Sequence, residues 1–134
     1  MNAILDMSFI SELVMVDIQL WNKRINDYSQ MLITVDTGAS VTTISTDLLH
    51  ILGYNISNAR EYRIITASSV EYVKSVVLDS IMLGNIKLEN IEVYAHNFPE
   101  SSFSMGVLGL NVLKRFDIFF RFSKKEMELI SQPL

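Results

Sequence analysis

Residues Leu13 to Leu20 read LVMVDIQL, with Val14, Val16, Ile18 and Leu20 on one side and Asp17 and Gln19 on the other. A repeat of two is the period of a strand half buried against a core, so this run constrains the chain more than any other feature. Similar runs follow. MLITV climbs to Asp36 after the polar connection NKRINDYSQ, and REYRIITASSVEYVKSVVLD holds two strand-like stretches rich in Ile, Val and Tyr around the small pair Ser68-Ser69. SIMLGNIKLENIEVYA adds two more strands around the turn signal Gly84-Asn85, and FDIFFRF, a Lys124-Lys125 turn and EMELIS close the chain. Two short helices are expected, one in STDLLHILG, capped by Ser or Thr and ended by Gly53, and one after the strand in MGVLGLNVLKRF. The loop HNFPESSFS separates the last two groups. The pattern predicts an all-β chain with one or two short helices.

Composition narrows the function classes. A chain of 134 residues with 49% hydrophobic and 19% charged residues supports one core and one domain over 1–134, with residues 1–11 read as a flexible or accessory segment. No apolar run reaches the roughly 20 residues of a membrane helix. MNAILDMSFISE has acids and no Lys or Arg, unlike a secretory leader, so an intracellular, cytoplasmic location and no membrane partner are expected. The net charge of −4 without a basic stripe argues against nucleic acid. With no cysteine and only His50 and His96, no metal and no cofactor are expected.

The chemistry concentrates in LITVDTGASVTTIS, residues 32–45, where Asp36 ends an apolar strand and is followed by Thr37 and Gly38. An Asp-Thr-Gly is also ordinary turn chemistry, and Ser40, Thr42, Thr43 and Ser45 suit strand and cap duty because no histidine lies near to activate a nucleophile. A lone exposed Asp titrates near about 3.9 and is simply a charge; acid-base hydrolysis requires a second carboxylate that holds a proton. No second Asp-Thr-Gly or Asp-Ser-Gly occurs, and Asp117 lacks the glycine turn. The simplest supply is Asp36 of a second copy across a twofold axis, which makes a homodimer. Two carboxylates about 3 Å apart share one proton, so one serves as base and the other as acid toward a bridging water. Gly38 then lets the backbone turn closely beneath the water, and the Thr37 hydroxyl bonds across the axis. FSMGVLGLNVLKRF echoes the first glycine-bearing segment, so two similar halves are plausible in one domain.

VDTGAS, the hairpin ITASSV and GVLGLNVLKRFDI together resemble the single-domain retropepsin-like aspartic proteases, in the same order of elements over roughly residues 12 to 130. The resemblance implies a closed antiparallel fold with a flap hairpin, catalytic Asp36, Thr37 and Gly38, and substrate contacts from Ala39, Ala67, Ser68 and Ser69. It implies an extended peptide or protein substrate gripped as an added strand, support of the active loop by Val107, Leu108 and Gly109, and EMELIS as a strand able to pair across the dimer. Two features depart from it: the flap tip has no glycine, and Ser40 and Leu110 stand where viral relatives carry an ion pair. The reading is an aspartic endopeptidase; the alternative is a non-catalytic peptide-binding or dimerisation module on the same fold.

Overall fold

The computed structural model describes residues 1–10, 12–65, 67–98 and 104–132. Within them run β1 (Asn2–Ile10), β2 (Leu13–Asn22), β3 (Asp27–Val35), β4 (Thr43–Ser45), α1 (Thr46–Ile51), β5 (Arg60–Ile65), β6 (Val70–Leu83), β7 (Ile86–His96), β8 (Gly106–Leu108), α2 (Leu110–Leu113), β9 (Phe116–Arg121), a 3-10 turn (Phe122–Lys124) and β10 (Glu126–Ser131). All strands belong to one sheet in the order β5-β6-β7-β4-β8-β3-β2-β1-β10-β9. A further pairing of Gln19 with Met82 and Leu20 with Ile81 joins β2 to β6, and the strands between them close into a barrel. Closure covers the edges of the six strands from β6 to β2, while β5 and β9 remain at the two ends of the strand order. Leu20, Ile33, Ile44, Leu78, Ile91 and Leu108 fill the interior with almost no solvent contact.

Most pairings are antiparallel, as the alternation predicted. Two are parallel, and these position the Asp36 loop: β3 beside β8 (Thr34 with Val107, Val35 with Leu108) and β4 beside β7. The two segments that echo each other in sequence therefore lie side by side in space. A parallel neighbour cannot come from a tight hairpin and needs a long crossover. The chain between Val35 and Gly106 supplies it here.

Four expectations change. The accessory segment over residues 1–11 is corrected: Asn2–Ile10 is a strand that pairs first with β10 and then with β2. Ala3, Leu5 and Met7 are buried on its inner face, and burial of the Leu and Met side chains is worth about 1.5–3 kcal/mol each. The long connection NKRINDYSQ shrinks to residues 23–26, because the β2–β3 ladder runs out to Asn22 opposite Asp27, and Asn26 takes the positive φ (54°) that ends the turn. The two runs split at Asp79-Ser80 are one strand, since β6 needs no turn there and its inner residues Val76, Leu78 and Leu83 stay in register with β7. Finally, β10 pairs on both sides within its own chain, with β1 and with β9. Of the expected loop over residues 96–104, His96 ends β7, and residues 99–103 lie outside the described residues.

The predicted Gly84-Asn85 turn is present. Gly84 has φ +59°, and a Cβ there would meet Leu5 and Ala3 at 3.2 and 3.3 Å, so the tight turn packs directly on β1. The helix expected after Ser45 is present as well, with the Ser45 hydroxyl accepting from the Leu48 amide.

Candidate active site

Asp36 stands one residue past β3, where the strand's last ladder contact is its amide donating to the Leu108 carbonyl at 3.1 Å. That bond fixes the backbone at the point where the side chain leaves the sheet. The Gly38 amide donates to Asp36 Oδ1 at 2.8 Å, and the Ala39 amide to the Asp36 carbonyl at 3.3 Å. Gly38 does not have a left-handed φ. Its role is proximity, because a Cβ would lie 3.1 Å from the carboxylate oxygen it orients. In a single chain Asp36, Thr37 and Gly38 are exposed.

Behind this loop α2 acts as a clamp. Leu110 and Asn111 amides donate to the Ala39 and Ser40 carbonyls at 2.8 and 3.1 Å. Asn111 Oδ1 accepts from the Thr42 amide and the Thr42 hydroxyl, each at 2.8 Å, while Asn111 Nδ2 donates to the Glu92 carbonyl at 2.8 Å. Thr42 Oγ1 in turn accepts from the Gly109 amide at 3.0 Å. Gly109 allows the approach: a Cβ would come within 2.8 Å of the Ala39 carbonyl oxygen and of Val41 C. Thr42, read from sequence as strand or cap duty, is 2% exposed and ties the active loop to the helix. Asn111 lies in α2, the helix expected after the strand in MGVLGLNVLKRF. Its partner lies far away in sequence, and only the β3–β8 crossover brings them together.

On the Gly106 side, the Thr34 hydroxyl donates to Ser104 Oγ at 2.8 Å, and Ser104 Oγ donates to the Gly106 carbonyl. This buries a hydroxyl pair beneath the strand that carries Asp36.

The carboxylate opens on a cleft of about 230 Å³ lined by Asp36, Ala39, Thr43 and Val107 on the barrel, Ile64, Glu71 and Val73 on the β5–β6 hairpin, and His96 and Phe98. Such a volume is below the 300–1,000 Å³ typical of sites for whole small molecules and suits a single side chain. Ile64 and Glu71 are partners in the β5–β6 register, so they project to the same face of the hairpin. His96 packs edge-on against Phe98, with ring centroids 5.6 Å apart. Ala67, Ser68 and Ser69 lie exposed at the hairpin tip, away from this lining, and Thr66 is outside the described residues. Sequence reasoning brought Asp36 and Ala39 to the cleft and missed Glu71, His96 and Phe98. The signal for Glu71 was its place next to the hairpin tip in a strand of alternating faces.

A barrel closed by a β2–β6 contact, with an Asp-Thr-Gly loop clamped by a helix and a hairpin over the cleft, has the architecture of retropepsin-like aspartic proteases. The profile of the family described as gag-polyprotein putative aspartyl protease matches residues 21–115, and the chain belongs to that family. Among solved structures it is similar to a retropepsin-like aspartic protease from Rickettsia conorii, at 19% identity and TM-score 0.68 over 96% of this chain and 89% of that one. It is also similar to the retroviral protease-like domain of Ddi1 from Leishmania major, at 11% identity and TM-score 0.57 over 90% and 94%. At these identities the likeness is one of fold. No curated protein matches the sequence. Among the described residues no helix is long and apolar enough to cross a membrane.

Proposed function

We propose that this chain is an aspartic endopeptidase active as a homodimer, each copy giving one Asp36 to a shared carboxyl pair. The observation that carries the reading is the Asp36 carboxylate, held by the Gly38 amide at 2.8 Å yet exposed at the mouth of a cleft roofed by the β5–β6 hairpin. A carboxylate presented this way lacks only the second acid that general acid-base hydrolysis needs. Family membership supports the chemistry. The open edge of β9 supports the dimer, because among the described residues β9 pairs with β10 alone and carries Phe119 and Phe120 exposed, with Phe122 exposed just past its end. Joining two such edges about a twofold axis would extend the sheet and cover that aromatic surface.

In the reaction, an extended peptide lies between the barrel and the hairpin, which serves as a flap. The ionised Asp36 takes a proton from water, the water oxygen bonds to the scissile carbonyl carbon, and the protonated Asp36 of the other copy gives its proton to the carbonyl oxygen. The tetrahedral species then collapses. Its C–N bond breaks as the amide nitrogen takes the proton that the first Asp36 gained from water, one hydroxyl of the tetrahedral carbon returns its proton to the partner's Asp36, and two peptides leave as amine and carboxylic acid.

The test is to incubate the native chain and Asp36→Asn with a diverse peptide mixture over pH about 3.5 to 7.5, bracketing carboxyl-pair titration, and to map cuts by mass spectrometry. Cuts by the native chain alone are expected. A folded, dimeric native sample that cuts nothing would overturn the proposal in favour of a peptide-binding module.

A further inference from the structure

We infer that the cleft beside Asp36 selects a basic substrate side chain, with Glu71 as the residue that sets the preference. The inference rests on the protease reading for its substrate, a peptide, and adds which side chain the peptide brings. The walls are apolar along most of their length: Ala39, Ile64, Val73, Phe98 and Val107. Val73 is only 5% exposed and forms a fixed floor to the hairpin side. A purely aliphatic side chain would satisfy those walls, but it would also desolvate the Glu71 carboxylate without giving it a partner, which is unfavourable.

Glu71 carries no ion pair or hydrogen bond among the described residues. The salt bridges there join Lys23 to Asp79, Lys87 to Glu89 and Arg121 to Glu128. Of the hairpin's cations, Arg63 and Lys74 sit one residue out of step with Ile64 and Val73 and so project from its other face, where Lys74 Nζ donates to the Ser57 carbonyl, while Arg60 shares the face of Ile64 but stands at the far end of β5 with its guanidinium 5.0 Å from the Tyr62 ring centre. The cleft thus has apolar walls, an unpaired carboxylate at the hairpin side and Asp36 at its base. Lysine and arginine match this arrangement: their methylene stems lie along apolar surface while the charged end reaches an acceptor. Glutamate or aspartate in the same position would face Glu71 and the charge shared by the Asp36 pair.

The experiment uses peptide pairs that differ by lysine against norleucine, an uncharged side chain of similar length, at each position in turn. Cleavage by the native chain is compared as the kcat/KM ratio, and binding of the same pairs to Asp36→Asn is measured by fluorescence anisotropy. At one position lysine is expected to win by about fivefold, the upper range for a part-exposed ion pair, and Glu71→Gln to bring the ratio close to one. Glu71→Lys should reverse the choice in favour of a glutamate peptide. Equal or better use of norleucine at every position, or a ratio that survives Glu71→Gln, overturns the inference while leaving proteolysis standing. If the native chain cuts nothing, the protease reading fails, and the anisotropy ratio still decides for or against the basic side chain. No binding by any peptide overturns both.

Discussion

Asn111 gives the sharpest test of how the active loop is held. In Asn111→Ala the Thr42 amide and hydroxyl each lose the acceptor now 2.8 Å away, and the Glu92 carbonyl loses its donor. The three losses differ in weight. Glu92 is exposed, so water replaces the amide there at little cost. The Thr42 backbone amide has no such recourse, as Thr42 is 2% exposed, and an orphaned buried donor costs about 1–3 kcal/mol. The hydroxyl bond adds about 0.5–1.5 kcal/mol. The sum is about 1.5–4.5 kcal/mol, which lowers a urea midpoint by about 0.8–2.2 M at an m-value near 2 kcal/mol/M. The measurement is equilibrium urea unfolding followed by tryptophan fluorescence, with m compared between variants. The mechanism also requires non-additivity: Thr42→Val removes part of the same network, so the double variant should cost less than the two singles together. A midpoint loss equivalent to under about 0.5 kcal/mol at unchanged m, or strict additivity, would show that the clamp contributes no stability and that α2 is held by packing alone.

Other predictions follow from the same geometry. Gly109→Ala places a methyl 2.8–2.9 Å from the backbone of Ala39, Val41 and Thr42, none of which is a flexible end, so about 1–3 kcal/mol of stability and most cleavage should be lost together, as read by urea unfolding and peptide assay. Phe119→Lys changes a half-exposed residue of the open β9 edge; the expected result is a folded monomer by sedimentation whose cleavage returns on raising its concentration, and an unchanged dimer would refute that edge as the interface. Tyr54 donates to the Trp21 carbonyl at 2.9 Å and accepts from the Asp79 amide at 3.3 Å, a donor that the β6–β7 ladder leaves free opposite Asn90 with its positive φ. Burial, only partly opposed by the Asp79 amide, pushes the Tyr54 hydroxyl above its usual value of 10.0. The folded state therefore holds this proton more tightly than the unfolded chain. Its stabilisation is complete below about pH 10 and falls as pH rises through the raised value. Tyr54→Phe should cost about 1–3 kcal/mol at neutral pH and flatten the alkaline decline in urea midpoints, with Tyr94, also raised by burial, keeping some slope.

The sequence showed the strands that alternate cleanly and the loop that breaks the alternation. Leu13 to Leu20, the Gly84-Asn85 turn and Asp36 at a strand end were all legible because each depends on neighbours within a few residues. β1 was not, since its inner residues Ala3 and Leu5 find their partners on β10, at the other end of the chain, before Met7 turns to Val16 on β2. The β2–β3 ladder was underestimated for a different reason: the polar residues between Asp27 and Gln30 pair along their backbones, which composition does not report. At the site, Asp36 was legible from its flanking residues, while Thr42 with Asn111 is a juxtaposition made by the parallel β3–β8 pairing, and Glu71 with His96 one made where the β5–β6 hairpin borders the cleft.

The self-contained pairing of β1 with β10 bears on how such a protein could be controlled. Since neither strand has to be exchanged with another copy, each chain can complete its hydrogen-bonded sheet alone, and under the proposed dimer only the β9 edge and the Asp36 loop await a partner. Folding and activation are then separate events. At low abundance the amount of dimer rises with the square of concentration and the active fraction in proportion to concentration, so gathering a few copies in one place would act as the trigger.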